Sequence, residues 1–483
     1  MAIFSSLAGF FKRNKRRIFI TSAVTISVYL LVNEFVIKKF KNYQNALRQE
    51  LMFKQQIKQR FLQTQQDCYY TILALLPVLA TPIVESLPVE FITQALRLKK
   101  GQPQQPQPQI TSGSSSELTA DNLNLLDNNN NPQSKLSIYM NKSKLELWNL
   151  LKIKTITRTL TLIYSISGLL LITRLQLNVL ARRSYLESAI LMAGVKAINN
   201  DSDPHENYMI EQSYLSLSWW LLNKGWFNLS SLIENIVIKK FEKITPKTEL
   251  SVIEFEILLN DIISEINTNN KELILSNLFP INYQDLLDTI VNTNPDLIHY
   301  LDIPDSNLIK LINETNNIML DGNLYFFDIL NSLILTNLST LSSNLSLNLS
   351  NVSNSLVMSG NLPDQKGDNQ INSKSQDNNN ITTLSTSKIV EIPDKSYKLA
   401  SFLAQLSIQN GIMINNNEPP QEEQEQDEFE NLMNNLNNFS GNAIESETFQ
   451  QSNNDLNGNV YINNMNNLDD LDDFSAGIYS NFE

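Results

Sequence analysis

The chain has 483 residues and a net charge of −13, with one cysteine and two histidines. A single cysteine excludes a disulfide framework within the chain, and so few cysteines and histidines argue against a zinc site or a nucleophile–base pair. Its 13 glycines form none of the phosphate-binding patterns, so we predict a non-enzymatic protein with no metal and no cofactor.

The N-terminal region combines a basic cluster with an apolar run at residues 18–37, which is long enough for one bilayer crossing. No small-x-small cleavage site follows the run, so an uncleaved anchor is favoured over a signal peptide, and the preceding cations argue against a buried soluble helix. We expect this to be the only stretch that crosses a membrane. The cluster in residues 1–17 consists of Lys12, Arg13, Lys15, Arg16 and Arg17.

Residues 38–100 predict helices that follow the anchor. Tyr43, Leu47, Leu51, Ile57 and Phe61 recur mostly at four-residue steps among polar residues, as in a long amphipathic helix. Residues 68–84 are more apolar, and their two prolines, at 77 and 82, should stop or bend the helix. A short helix fits residues 89–98, and the lone thiol at residue 68 is expected to be buried and inert.

Three segments have the composition of disordered chain. Residues 101–134 carry Gln-Pro repeats, a Ser/Gly cluster and four consecutive asparagines, and residues 346–387 are rich in Ser, Asn and Asp. The tail, residues 414–483, is Asn-rich and acidic, with 15 carboxylates and no lysine or arginine from residue 417 onward. Without these carboxylates the chain would carry a net charge of +2. We predict that all three segments are disordered.

The rest of the chain predicts a helical bundle. Apolar residues dominate from 145 to 191, and the run at 160–172 is too short for a membrane span and is bracketed by Arg158 and Arg174, so a core helix is favoured. Helical spacing continues through residues 208–345, with a last apolar piece at 388–413. The predicted fold is all-α: a single transmembrane helix followed by one large cytosolic helical domain, residues 38–413, that contains both inserts.

Three segments resemble the peroxin-3 family, namely residues 11–17, 71–77 and 144–152, the last followed by Arg158, Tyr164, Arg174, Gln176, Leu177, Asn178 and Tyr185. The resemblance is best over residues 1–100 and 140–190, fades after residue 190, and is absent from the inserts and the tail. It implies an integral protein of the peroxisomal membrane, with transit through the endoplasmic reticulum left open. It also implies a lumenal N-terminus, although the larger number of cations before the anchor than just after it would by itself place that end in the cytosol.

The resemblance implies one partner above all, the chaperone-receptor peroxin-19, whose amphipathic N-terminal helix docks in a groove. No nucleic-acid partner is expected. Groove positions carried over from the family are Leu96, Lys144, Leu145, Trp148, Leu151 and Lys388. From helical spacing alone a core tryptophan is the favoured interpretation of Trp148, with Lys144 and Lys152 at the edges of its face. The resemblance reverses that preference.

The basic cluster has two compatible interpretations. Its five cations would bind anionic lipid headgroups of the peroxisomal membrane, and in the family such a cluster acts with the anchor as a targeting signal. The alternative function is an organelle tether or adaptor platform that serves peroxisome inheritance, retention or pexophagy.

Overall fold

A computed structural model describes residues 38–100, 132–192, 204–303, 306–320, 325–358, 395–415 and 458–480. Five single residues near the N-terminus are also described, and all are helical: Ile20, Val24, Thr25, Ser27 and Tyr29. The predicted all-α class is confirmed, since the described residues are helical apart from turns and one short antiparallel strand pair. The chain divides into two compact units, residues 1–66 and 67–483.

The helices are α1 (Lys38–Ser86), α2 (Val89–Lys100), α3 (Pro132–Met140), α4 (Lys144–Met192), α5 (Pro204–Ser216), α6 (Trp226–Lys240), α7 (Val252–Asn269), α8 (Lys271–Leu278), α9 (Tyr283–Thr293), α10 (Ile298–Leu301), α11 (Asn307–Leu320), α12 (Phe326–Met358), α13 (Leu399–Met413), α14 (Val460–Asn466) and α15 (Asp469–Ser480). A π-helical turn, Leu221–Gly225, precedes α6, and a 3₁₀ turn, Pro295–Leu297, precedes α10. Strands β1 (Glu249–Leu250) and β2 (Tyr397–Lys398) pair antiparallel, with Glu249 opposite Lys398.

Helix α4 is the centre of the larger unit. Every residue from 155 to 176 is buried, so this stretch has no solvent-facing side. A helix that is buried on all sides has neighbours on all sides, and α2, α6, α12, α13 and α15 are among the helices that pack around it. The prediction that residues 160–172 form a core helix is confirmed.

Three arginines of α4 carry charge into this core, and each reaches an acidic residue on another helix. Arg158 donates two hydrogen bonds to the Glu90 carboxylate of α2, at 2.7 and 2.8 Å. Arg174, only 1% exposed, donates to Asn466 at 2.6 Å and lies 3.4 Å from an Asp472 oxygen. Arg182 pairs with Glu314 of α11. Because an unpaired buried charge is very costly, these pairs fix where α2, α11 and the C-terminal helices attach to α4.

The predicted disorder of the tail is wrong for residues 458–480, which form α14 and α15. Leu471, Phe474 and Ile478 recur at helical spacing and are all less than 10% exposed. The stretch therefore has an apolar face that the overall acidic composition hid, and Arg174 supplies a cation for its acidic side. Residues 416–457 lie outside the described residues.

Two smaller predictions also need correction. Helix α12 runs on to residue 358, with Leu349 only 3% exposed, so residues 346–358 are not part of a disordered insert. Helix α1 continues through both Pro77 and Pro82. Each proline costs a helix about 3 kcal/mol. Fully buried apolar side chains around the prolines offset this cost at about 1.5–3 kcal/mol each; they are Ile72, Leu76, Leu79 and Ile83.

Membrane crossing by residues 18–37 lies largely outside the described residues. Within the described part, the segments Leu51–Lys99 and Lys144–Ile190 are also long and apolar enough for a span, so the predicted uniqueness of residues 18–37 is wrong on length and composition. The most apolar window of the second segment is 94% buried within the protein, and that of the first is 44% buried. Burial against protein therefore accounts for the apolar composition of the second segment. In the first segment some apolar residues, such as Ile72 and Leu76, enter the core, whereas others, such as Leu51 and Leu62, are exposed.

Candidate functional site

A second apolar cluster lies apart from the main core, where α2, α3 and the start of α4 meet. Its buried members are Val89, Ile92, Ala95, Leu96, Leu147 and Leu151. Half-buried side chains pack around them; they are Leu136, Tyr139, Met140, Trp148 and Leu150. We call the members of this set on α2 and α4 the α2–α4 cluster. It is small, and α3 packs on it through Leu136, Tyr139 and Met140.

The start of α4 is fixed by a capping box. The Ser143 amide donates to the Glu146 carboxylate at 2.8 Å, and the Glu146 amide donates to the Ser143 hydroxyl at 3.2 Å. These hydrogen bonds hold the pKa of Glu146 below its usual value. The box satisfies free amide groups of the first turn, so the turn that carries Lys144 and Leu145 is held in helical form.

Five of the six predicted groove residues lie at this end of α4 or on the neighbouring α2. Leu96 and Leu151 are each 7% exposed and belong to the buried part of the α2–α4 cluster. Trp148 is half-buried on its surface, whereas Lys144 is exposed and Leu145 is 71% exposed. The structure thus brings Leu96, Trp148 and Leu151 together and leaves Lys144 and Leu145 facing solvent.

Several predicted residues do not join the site. Lys388 lies outside the described residues, as do Lys12, Arg13, Lys15, Arg16 and Arg17. Lys152, predicted at the edge of the Trp148 face, is 3% exposed and points inward. Its ammonium donates to the carbonyls of Phe241 and Ile244 at 2.7 and 2.6 Å, just beyond the C-terminus of α6, and burial lowers its pKa. It interacts with the negative end of a helix and is not a groove cation.

Cations surround the exposed side of the α2–α4 cluster. Arg97, Lys142 and Lys144 are exposed, and the half-buried Lys99 donates a hydrogen bond to the Lys142 carbonyl, which joins the end of α2 to the turn before α4. The carboxylate in the same stretch, Glu146, is engaged by the capping box. An apolar surface with a cationic rim suits a partner that has apolar anchors and acidic flanks.

Sequence reasoning missed α3, most of which lies just beyond an insert of disordered composition. Leu136, Tyr139 and Met140 follow the i, i+3, i+4 spacing of one helix face, and this was the available signal. The first residues of α3, 132–134, lie within the insert that was predicted to be disordered, residues 101–134, so that prediction is wrong for them. The helix is short, and the composition of the insert hid it.

Among the described residues, no three His, Cys, Asp or Glu side chains lie close enough together to hold a metal ion. Cys68 is buried, as predicted, and burial raises the pKa of its thiol to about 12, so it stays protonated at neutral pH.

The fold and the α2–α4 cluster together define the class of this chain. It is a helical protein with a separate apolar cluster at the start of its central helix, α4. Comparisons with known proteins identify the family. The family model described as Peroxin-3 matches residues 9–481, and this chain belongs to the Peroxin-3 family. It is therefore a peroxisome biogenesis protein of the peroxisomal membrane.

Named relatives show how far the similarity extends. Peroxisomal biogenesis factor 3 of Debaryomyces hansenii is 50% identical over 484 residues and covers 100% of both chains. Peroxisomal membrane protein PEX3 of Komagataella phaffii is 40% identical over 52% of this chain and 57% of its own. Peroxisomal biogenesis factor 3 of Saccharomyces cerevisiae is 33% identical over 56% of this chain and 64% of its own. Because the family match extends to residue 481, the expectation that the resemblance ends before the tail is wrong.

Proposed function

We propose that this chain is the membrane docking receptor for peroxin-19, and that it thereby enables insertion of peroxisomal membrane proteins. The observation that carries the proposal is the α2–α4 cluster, which is separate from the main core and presents a half-buried Trp148 beside an exposed Leu145. Family membership supplies the peroxisomal context.

Helix-in-groove docking suits this surface. An amphipathic helix binds by placing apolar side chains at i, i+3, i+4 and i+7 on an apolar surface, and tryptophan is a frequent anchor in such interfaces. The cations around the α2–α4 cluster complement acidic residues that flank the apolar face of the partner. Rim charges of this kind act mainly on the association rate and on partner choice.

The anchor completes the proposed receptor. Residues 18–37 would hold it in the membrane, with residues 1–17 in the lumen and the helical domain in the cytosol, where peroxin-19 is met. Ile20, Val24 and Tyr29 support this, because they are helical, apolar and each more than half exposed within the protein. Protease protection of an N-terminal tag on intact peroxisomes tests the orientation, and digestion of the tag would contradict it.

The docking test compares two exposed leucines. Leu145→Ala and Leu347→Ala truncate side chains that are 71% and 63% exposed, but only Leu145 lies in the turn that precedes Trp148. In full-length chain in lipid nanodiscs, titrated with a labelled N-terminal peptide of peroxin-19, we expect Leu145→Ala to weaken binding and Leu347→Ala to leave it unchanged. Trp148→Ala should weaken binding by about 2 kcal/mol, or about 30-fold. Equal binding by wild type and Trp148→Ala would contradict the proposal.

The tether alternative makes a different prediction in cells. Loss of all peroxisomal membranes on deletion of the gene would favour docking, whereas normal organelles in abnormal positions would favour tethering to inheritance or autophagy adaptors.

A further inference from the structure

Helix α3 presents an apolar face to the α2–α4 cluster from within the same chain. It lies along α2, and its Leu136, Tyr139 and Met140 pack on the cluster at i, i+3 and i+4. All three are half-buried, whereas Ile138, on the opposite side of α3, is 61% exposed. Helix α3 therefore contacts the rest of the protein with the pattern that an amphipathic partner helix would use.

Helix α3 is short, so we expect it to be only weakly attached to the rest of the protein. A helix of nine residues is well below the roughly 12–15 residues at which isolated helices become even marginally stable in water. Its helical form thus depends on its packing, and the described packing rests on three side chains that keep part of their surface in water. Few buried apolar contacts place a segment at the low-stability end of a protein.

The connection to α4 keeps α3 close to the cluster. Only residues 141–143 separate the two helices, and the Lys142 amide donates to the Tyr139 carbonyl at 3.2 Å. A segment held this near its binding surface acts at a high effective concentration, about millimolar for short flexible linkers. Even a weak helix–cluster contact is then populated.

We propose that α3 is an intramolecular competitor for the docking surface: its Leu136, Tyr139 and Met140 cover apolar surface of the α2–α4 cluster that the peroxin-19 helix must use. This inference rests on the proposed docking function and adds regulation of the same site. Docking requires α3 to leave the cluster, so the apparent affinity equals the intrinsic affinity multiplied by the fraction of molecules with α3 displaced.

The first test removes the apolar face of α3. In full-length chain in nanodiscs, Leu136→Ser combined with Tyr139→Ser should bind the peroxin-19 peptide about five- to tenfold more tightly than wild type, which corresponds to a displaced fraction of about 10–20% in wild type. Ile138→Ser is the matched control, because it changes the same helix on its exposed side, and its affinity should equal that of wild type. Unchanged thermal unfolding confirms that the double variant retains the main core.

The second test measures amide hydrogen exchange of α3 in the wild-type protein. The exchange rate should change in opposite directions according to whether α3 competes with the peptide or forms part of its binding groove. If α3 is displaced by the peptide, amide hydrogen exchange in residues 136–142 becomes faster on peptide addition. If α3 is instead a wall of the groove, exchange there slows and the double variant binds more weakly, and either result overturns the competition. Equal affinity of wild type and double variant also overturns it while the docking function stands, whereas absence of binding by every form overturns the docking function itself.

Discussion

Two stretches of α4 have similar composition and opposite surroundings. Residues 144–151 and residues 155–176 both mix apolar residues with polar and charged ones, yet the second stretch is wholly buried while the first exposes Lys144 and Leu145. The difference lies in the neighbours: α2, α6, α12, α13 and α15 are among the helices that pack around α4, whereas its first turns meet α2 and α3 at the α2–α4 cluster. Whether an apolar helix face belongs to the core or remains available to a partner therefore depends on the helices that cover it. Composition alone does not distinguish the two cases.

The lysines of α4 show the same contrast at the level of single residues. Lys144 and Lys152 are eight residues apart and were both predicted at the edge of one face. Lys144 is exposed, whereas Lys152 is buried and donates to two carbonyls beyond the end of α6. The boundary between the proposed docking surface and the core thus falls between Trp148 and Lys152, within about one helical turn.

Truncation of a leucine on each side of this boundary should give the largest contrast. Leu170 is fully buried, so Leu170→Ala should lower the free energy of unfolding by about 2–5 kcal/mol through lost burial and the cavity left behind. Leu145→Ala should change it by less than about 0.5 kcal/mol, as is usual for exposed positions. Denaturant unfolding of both variants measures this, and similar losses would show that the first turns of α4 belong to the core.

The attachment of the C-terminal helices to α4 predicts the next largest effect. Arg174→Met keeps an apolar stem but removes the hydrogen bond to Asn466 and the ion pair with Asp472. Hydrogen bonds to charged groups contribute about 1.5–3 kcal/mol, so we expect a loss of about 2 kcal/mol and faster amide exchange in α15.

Peptide affinity is the control for this variant, because α15 is not part of the α2–α4 cluster. A changed affinity without altered exchange in α15 would contradict the assigned role of Arg174.

Sequence predicted the parts of this fold whose signal is local. The central helix followed from an apolar run bracketed by Arg158 and Arg174, and the resemblance found Leu96, Trp148 and Leu151, which the structure brings together. Two of the features that were not predicted have a common cause. The acidic composition of the tail concealed α15, whose order depends on distant partners such as Arg174, and the inward direction of Lys152 depends on where α6 ends. Both depend on contacts between residues far apart in sequence, which helical periodicity does not report.

Replacement of Lys144 and of Lys152 tests where the proposed docking surface ends and the core begins. Lys152→Met removes two charge-assisted hydrogen bonds but also relieves the burial of a charge, so we expect a net loss of about 1 kcal/mol of stability with unchanged peptide affinity. Lys144→Ala should do the reverse, with unchanged stability and an affinity loss of about 0.5 kcal/mol that fades at high salt. Calorimetric titration of both variants with the peptide at two salt concentrations measures the two affinities. An affinity loss in Lys152→Met would show that Lys152 contributes to the groove.

The capping box should give a small effect on binding, because it acts only on the first turn of α4. Ser143→Ala removes a cap worth about 1 kcal/mol, so the turn that carries Lys144 and Leu145 should fray and peptide binding should weaken by about two- to threefold. Ser251→Ala is the matched control, because Ser251 and Glu254 form the same box at the start of α7, away from the α2–α4 cluster. Weaker peptide binding by Ser251→Ala would show that the effect is not local.

The pH dependence of the first turn follows from the lowered pKa of Glu146. A carboxylate with a depressed pKa in the folded state stabilises the fold above the pKa of the unfolded chain, and this contribution is lost as pH falls through the folded-state value. Amide exchange in residues 144–147, corrected for its intrinsic pH dependence, should therefore indicate increasing fraying as the pH is lowered below about 4.5. Glu146→Gln should remove most of this dependence, because the amide does not titrate. The same acid-induced fraying in Glu146→Gln would mean that another group controls the start of α4.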